Sequence, residues 1–126
     1  MKTTVEITRD PLEGEVEPTV EAGSGAVVVF SGVVRPEENG QPLAALDYEA
    51  YEPMARDEMR RILADLSVRF PCDSVRVRHR LGRVGAGEAS IVVRVAARHR
   101  AEAFGLLAAF MDRLKKDVPI WKRASP

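Results

Sequence analysis

The sequence predicts an α+β domain, with helices packed on one side of a mostly antiparallel sheet. Three observations predict it. Stretches of period-two alternation outnumber helical stretches. Two stretches carry apolar residues at helical spacing, and each stops at a proline. The resulting order is β-(loop)-β-β-α-β-β-α, in which hairpin-linked strands separate the helices. The 126 residues suit a single domain, 1–126, long enough to bury about two thirds of its unfolded surface.

Residues 3–8 alternate weakly and predict a short strand. Residues 9–24 are acidic and carry Pro11, Gly14, Pro18 and Gly23, which predicts a loop with one helical turn near 16–22. Residues 25–34 hold the run Ala26-Val27-Val28-Val29-Phe30, and its lack of alternation predicts a strand covered on both faces. Two prolines and Asn39-Gly40 make 35–42 an exposed, mobile loop. Leu46, Tyr48 and Ala50 alternate with polar neighbours and predict a strand. Pro53 suits the first turn of a helix. Met59, Ile62, Leu63, Leu66 and Phe70 form one helical face, ended by Pro71. Val75, Val77, His79 and Leu81 alternate with Arg76, Arg78 and Arg80, predicting a strand with one basic face, solvated or at an interface. Gly82, Gly85 and Gly87 predict a turn, and Ile91, Val93 and Val95 the hairpin partner. The last helix spans 99–117 on a stripe of Ala103, Leu107, Phe110, Met111 and Leu114. Pro119 ends it, and the tail that follows is expected to tuck back against the body.

Composition excludes several classes. Nineteen basic and nineteen acidic residues give zero net charge, so there is no basic excess for general nucleic-acid binding. Cys72 is the only cysteine, which excludes an internal disulfide. With two histidines beside it, a structural zinc site is not expected. No apolar run approaches the ~20 residues that span a bilayer, and the first seven residues do not form a signal peptide. The expected compartment is the cytoplasm.

The informative residues are cationic. At 100° per residue, Lys115 falls at the margin of the apolar stripe, and Lys116 falls nearly opposite it, in solvent. Lys115 can lay its stem on apolar surface and present its amine to a pocket. Lys122 follows seven residues later, so a tucked tail would bring two amines together. The plainer alternative is a helix-terminal lysine favoured by the macrodipole and a solvated tail lysine. His99-Arg100 stands where a strand gives way to a helix, a place that favours anions, or else an ordinary polar junction. His79, on an apolar face, reads as a satisfied core residue. No carboxylate pair, Ser-His-Asp order or phosphate loop is present.

Several strings stand together in order: Gly25-Ala26-Val27-Val28-Val29-Phe30-Ser31-Gly32-Val33-Val34-Arg35, Leu46-Asp47-Tyr48-Glu49-Ala50-Tyr51, His79-Arg80-Leu81-Gly82 and Gly87-Glu88. They continue with His99-Arg100, Ala103-Phe104, Asp112-Arg113-Leu114-Lys115 and Pro119-Ile120-Trp121-Lys122. Together they resemble the large, catalytic subunits of molybdopterin synthase, over residues 3–123. The resemblance implies an α/β hammerhead-type fold with a small antiparallel β subdomain. It implies a sulfurtransferase that makes the dithiolene of molybdopterin from cyclic pyranopterin monophosphate. The sulfur would come from the C-terminal Gly-Gly thiocarboxylate of a small ubiquitin-like subunit. The expected assembly is a homodimer of this chain within a heterotetramer, with no cofactor, metal, nucleic acid or membrane.

By position, the resemblance makes Lys115 and Lys122 the catalytic lysines. It makes Arg35, His99 and Arg100 substrate-binding residues, with Val33, Val34 and Arg123 lining the same pocket. The loop over 35–42 would be a mobile part of the site. The family pattern reads Trp-Lys-x-Glu where this chain has Ala124, and it commonly continues into a longer C-terminal tail. The alternative is a non-catalytic module that binds an anionic metabolite or a partner's tail.

Overall fold

The computed structural model describes residues 1–12 and 23–125, so the helical turn expected near 16–22 lies outside it. In chain order the elements are β1 (Lys2–Thr8), β2 (Ala26–Val33), β3 (Glu37–Glu38), β4 (Gln41–Pro42), β5 (Ala45–Ala50), α1 (Glu52–Arg69), β6 (Ser74–Arg80), β7 (Gly82–Gly85), β8 (Ala89–Ala97), α2 (Arg100–Asp117) and β9 (Ile120–Ser125). They form an α+β fold of three sheets and two long helices among the described residues.

The main sheet has the order β1-β6-β8-β2. The β1–β6 pair is parallel, and the β6–β8 and β8–β2 pairs are antiparallel. Alternation sends Val75 and Val77 of β6, and Val93 and Val95 of β8, toward the helices. There they meet Ala55, Met59, Ile62 and Leu63 of α1 and Ala103, Leu106, Phe110 and Leu114 of α2. Each fully buried side chain of this size contributes about 1.5–3 kcal/mol. The helices end where prolines forbid continuation. The Phe70 N–H still reaches the Leu66 carbonyl before Pro71, and the Val118 N–H reaches Leu114 before Pro119. At the end of α1 the Phe70 ring lies so close to Gly105 that a Cβ there would clash with it.

Three expectations need correction. First, β2 is an edge strand, and its two faces are not both covered: Val27, Val29, Phe30 and Val33 are exposed. An unbroken apolar run reports apolar surroundings, and along β2 the chain itself does not supply them. Second, 82–85 is a strand as well as the start of a turn. Third, the C-terminal segment is also a strand. β7 and β9 flank β5 in a three-stranded antiparallel sheet, with Tyr48 opposite both Gly82 and Lys122. A second, small apolar cluster of Val34, Leu43, Leu46 and Val84 ties this sheet to the end of β2.

Residues 37–42 form a two-stranded hairpin. Asn39 and Gly40 at its tip have φ of 53° and 77°, the backbone of a tight two-residue turn. On the sheet face away from the helices the arginines are half-buried. Arg78 pairs with Glu6 of β1 at 3.5 Å and Arg80 with Glu88 at 3.0 Å, so this basic face is partly neutralised within the chain. No described helix is long and apolar enough to cross a membrane.

Candidate active site

A cavity of about 920 Å³ opens where the main sheet, the small sheet and the stretch of α2 from Phe104 to Lys115 meet. Each element turns one residue or more into it. The end of β2 contributes Phe30, Val33 and, just beyond, Arg35; β5 contributes Tyr48, β6 His79, and β9 Trp121 and Lys122. From α2 come Phe104, Leu107, Met111, Asp112 and Lys115, which recur at helical spacing and so share one side of the helix. Lys115 lines the cavity at the edge of the buried stripe, and Lys116 does not, as the helical wheel requires.

Arg35, Lys115 and Lys122 therefore face one space, although 80 residues separate the first two in sequence. Of the three, Lys122 has an ion-pair partner among the described residues: its Nζ lies 3.6 Å from Glu38 Oε1. The mouth is apolar. Val33, Phe104 and Trp121 are each more than half exposed there, which is uncommon for side chains of this kind.

His79, read from its alternation as a core residue, is buried but also forms part of the cavity wall. Its Nδ1 lies 2.9 Å from the Arg80 carbonyl, and its ring meets Tyr48 edge-on at 5.4 Å. Burial holds its pKa below the usual histidine value, and the Arg80 contact offsets this in part. A neutral ring that donates through Nδ1 leaves Nε2 as an acceptor. Period-two alternation marked which side of β6 His79 faces, but could not show that this side ends at a cavity.

Other expected residues lie elsewhere. Val34 is buried in the second cluster, where its N–H donates to the Glu88 carbonyl at 3.0 Å. Arg123 points to the other face of β9 because strand neighbours alternate, and pairs with Glu49 at 3.3 Å. Neither side chain lines the cavity. His99 and Arg100 stand at the N-terminus of α2. Fifteen residues of helix, about 22 Å at 1.5 Å each, separate Arg100 from Lys115. Neither His99 nor Arg100 lines the cavity, although Phe104, one turn further along α2, does.

Cys72 does not line the cavity either. Its Sγ lies 3.5 Å from the Glu102 carbonyl. Burial, and then Glu102 and Asp73, push the thiol up to about 11, so it stays protonated near neutrality. Among the described residues no cluster of three or more His, Cys, Asp or Glu could hold a metal ion.

Comparison with known proteins agrees with this architecture. The MoaE protein family matches residues 5–117. A molybdopterin synthase catalytic subunit from Pyrococcus abyssi is 39% identical over 126 residues, covering 97% of this chain and 85% of the relative. Another, from Nostoc sp., is 41% identical over 104 residues, covering 82% of this chain and 63% of the relative. The crystal structure of molybdopterin synthase from Staphylococcus aureus superposes with a TM-score of 0.88 at 33% identity, over 95% of this chain and 89% of that one. A complex of subunits 1 and 2 of the molybdopterin-converting factor from Helicobacter pylori gives 0.68 at 26% identity, over 81% of this chain and 66% of that one. The chain belongs to the MoaE protein family, that of the molybdopterin synthase catalytic subunits.

Proposed function

We propose that the cavity is where this chain transfers sulfur from a small ubiquitin-like subunit to cyclic pyranopterin monophosphate. The observation that carries the reading is the convergence of Arg35, Lys115 and Lys122 on one cavity with an apolar mouth. Both reactants are anionic. The substrate carries a phosphate, and the donor tail ends in a thiocarboxylate. Fixed cations in a partly enclosed site bind both and stabilise charge that develops on the leaving oxygen. For each sulfur, a C–S bond forms at a substrate carbon and a C–O bond breaks. Water then cleaves the acyl–sulfur bond, and the tail leaves as a carboxylate. No redox partner is needed. A Gly-Gly tail suits a narrow entrance because it has no side chains to clash. Phe104, Trp121 and Val33 offer the partner an apolar seat. The sulfur comes from outside, because Cys72 is protonated and does not line the cavity. The proposed compartment is the cytoplasm, where an unpaired cysteine is the ordinary state.

The distance between Arg100 and Lys115 adds a further element. If His99 and Arg100 hold the phosphate of a substrate that reacts at Lys115, a second copy of the chain is the source that would bring them to the cavity, since neither lines it within one chain. Val27 and Val29, exposed on β2 and outside the cavity lining, are a surface such a copy could cover. The site would then be shared by a homodimer inside the heterotetramer.

The test is reconstitution with a thiocarboxylated small subunit and the pterin substrate, reading molybdopterin formed. Lys115→Ala should lose activity by about a hundredfold or more, the scale of a lost proton donor or charge stabiliser. Lys116→Ala, on the solvent side of α2, should stay within about twofold of the parent. Equal loss in both variants, or loss in neither, overturns the assignment. Substrate binding without turnover points to a binding module.

A further inference from the structure

Glu38 reaches Lys122 from an element far from it in sequence. Its carboxylate sits on β3, directly before the Asn39-Gly40 turn. The hairpin that carries it is anchored at its base. The Leu43 N–H donates to the Pro36 carbonyl at 2.9 Å, and Val34 and Leu43 are buried together in the second cluster. At the tip, the turn fixes Glu38 opposite Gln41. Lys122 starts from the opposite condition. It is a long side chain, 52% exposed, on the edge strand of the small sheet. Holding such a chain in one orientation costs up to about 2 kcal/mol of rotamer entropy. A carboxylate already fixed on a hairpin has less entropy of its own to lose.

We propose that Glu38 is a positioning residue for sulfur transfer: through its ion pair it holds the Lys122 ammonium at the cavity wall, oriented for the incoming anion. This rests on the reading of the cavity as the sulfur-transfer site. The strand register supplies an internal control. Lys122 lies opposite Tyr48 of β5 and Ala124 opposite Leu46, so residues 122 and 124 share a face of β9. A carboxylate at 124 would stand beside Lys122 on the same strand. Position 124 holds alanine, and the hairpin brings a carboxylate to Lys122 from a different element.

The experiment combines cross-linking with kinetics on the full chain, bound to its thiocarboxylated small subunit. A zero-length carbodiimide cross-linker should join Glu38 to Lys122 in the parent protein, detected by peptide mass spectrometry, and should not do so in Glu38→Gln. Glu38→Gln should lower kcat about two- to fivefold, the range of an exposed ion pair, with KM for the pterin within about twofold. Adding Ala124→Glu to that variant should restore at least about half of the lost kcat. The proposal is overturned if the cross-link is absent from the parent, if Glu38→Gln leaves kcat unchanged, or if Ala124→Glu restores nothing. A parent that cross-links but makes no molybdopterin overturns the sulfur-transfer reading and Glu38's part in it, while the ion pair stands.

Discussion

His79 is at once a core residue and a piece of the cavity wall, and this fixes its behaviour with pH. Its folded pKa lies below the ordinary value of about 6.5 because burial disfavours the charged ring. As pH falls, the unfolded chain takes up the proton first, so it binds more protons than the folded chain and stability declines. The contribution is intact above about pH 6.5 and is lost as pH falls through the folded value. Glu88 acts lower. The Gly85 N–H and Arg80 hold its pKa below 4.5, so its share is lost only in stronger acid. Melting temperatures at about pH 7.5 and about pH 5 therefore isolate the histidine. The drop between them should shrink in His79→Gln, and an equal drop in both proteins would rule out His79 as its source. The two lysines of α2 are the residues the sequence resolved best. Their 100° separation is a property of any α-helix and needs no tertiary knowledge. Arg123 shows the opposite case. Adjacent to Lys122 in sequence, it belongs to another surface, and only strand geometry reveals that.

At the scale of elements, what could be read depended on who supplies the pairing. α1, α2, β6 and β8 carry their own periodicity and are legible without their neighbours. β7 and β9 are not. Gly82-Arg83-Val84-Gly85 reads as turn chemistry, and Ile120-Trp121-Lys122-Arg123 has no alternation. Both become strands because β5 offers each of its edges to one of them. Since β9 carries Lys122, half of the lysine pair depended on a strand that alternation does not reveal. The approach of α1 to α2 is likewise invisible in sequence, because Gly105 in mid-helix reads as a weak helix former. Its reason is the Phe70 ring. Gly105→Ala should gain about 1 kcal/mol of helix propensity and lose about 1–3 kcal/mol to overpacking. The expected net effect is destabilisation by about 1 kcal/mol, read from urea denaturation. A more stable variant would mean that the ring swings aside freely.

For the whole molecule, the resemblance assigned His99 and Arg100 to the same site as Lys115, and a single chain holds them at opposite ends of α2. A shared site in a homodimer reconciles the two, and it makes a prediction that a one-chain site does not. Lys115→Ala and Arg100→Ala should each be inactive alone. Mixed after dissociation and reassembly, they should recover up to about a quarter of the parent activity, because half of the dimers are then mixed and each mixed dimer has one intact site. No recovery would mean that Arg100 serves its own chain.

The seam between the two sheets also has a consequence for local opening. Lys115 and His79 stand on the main core, whereas Tyr48 and Lys122 stand on the small sheet. The small sheet contributes Leu46 and Val84 to a four-residue apolar cluster, and it rests on the main core through the partly buried Tyr48, Ala50 and Ile120. Regions with few buried contacts open at a lower free energy than the global transition. Release of β9 from β5 would carry Lys122 out of the cavity and leave Lys115 in place. Hydrogen exchange would register this as β9 amides that exchange ahead of those in β6 and β8. The enzyme could then lose its chemistry at denaturant concentrations where its core remains folded.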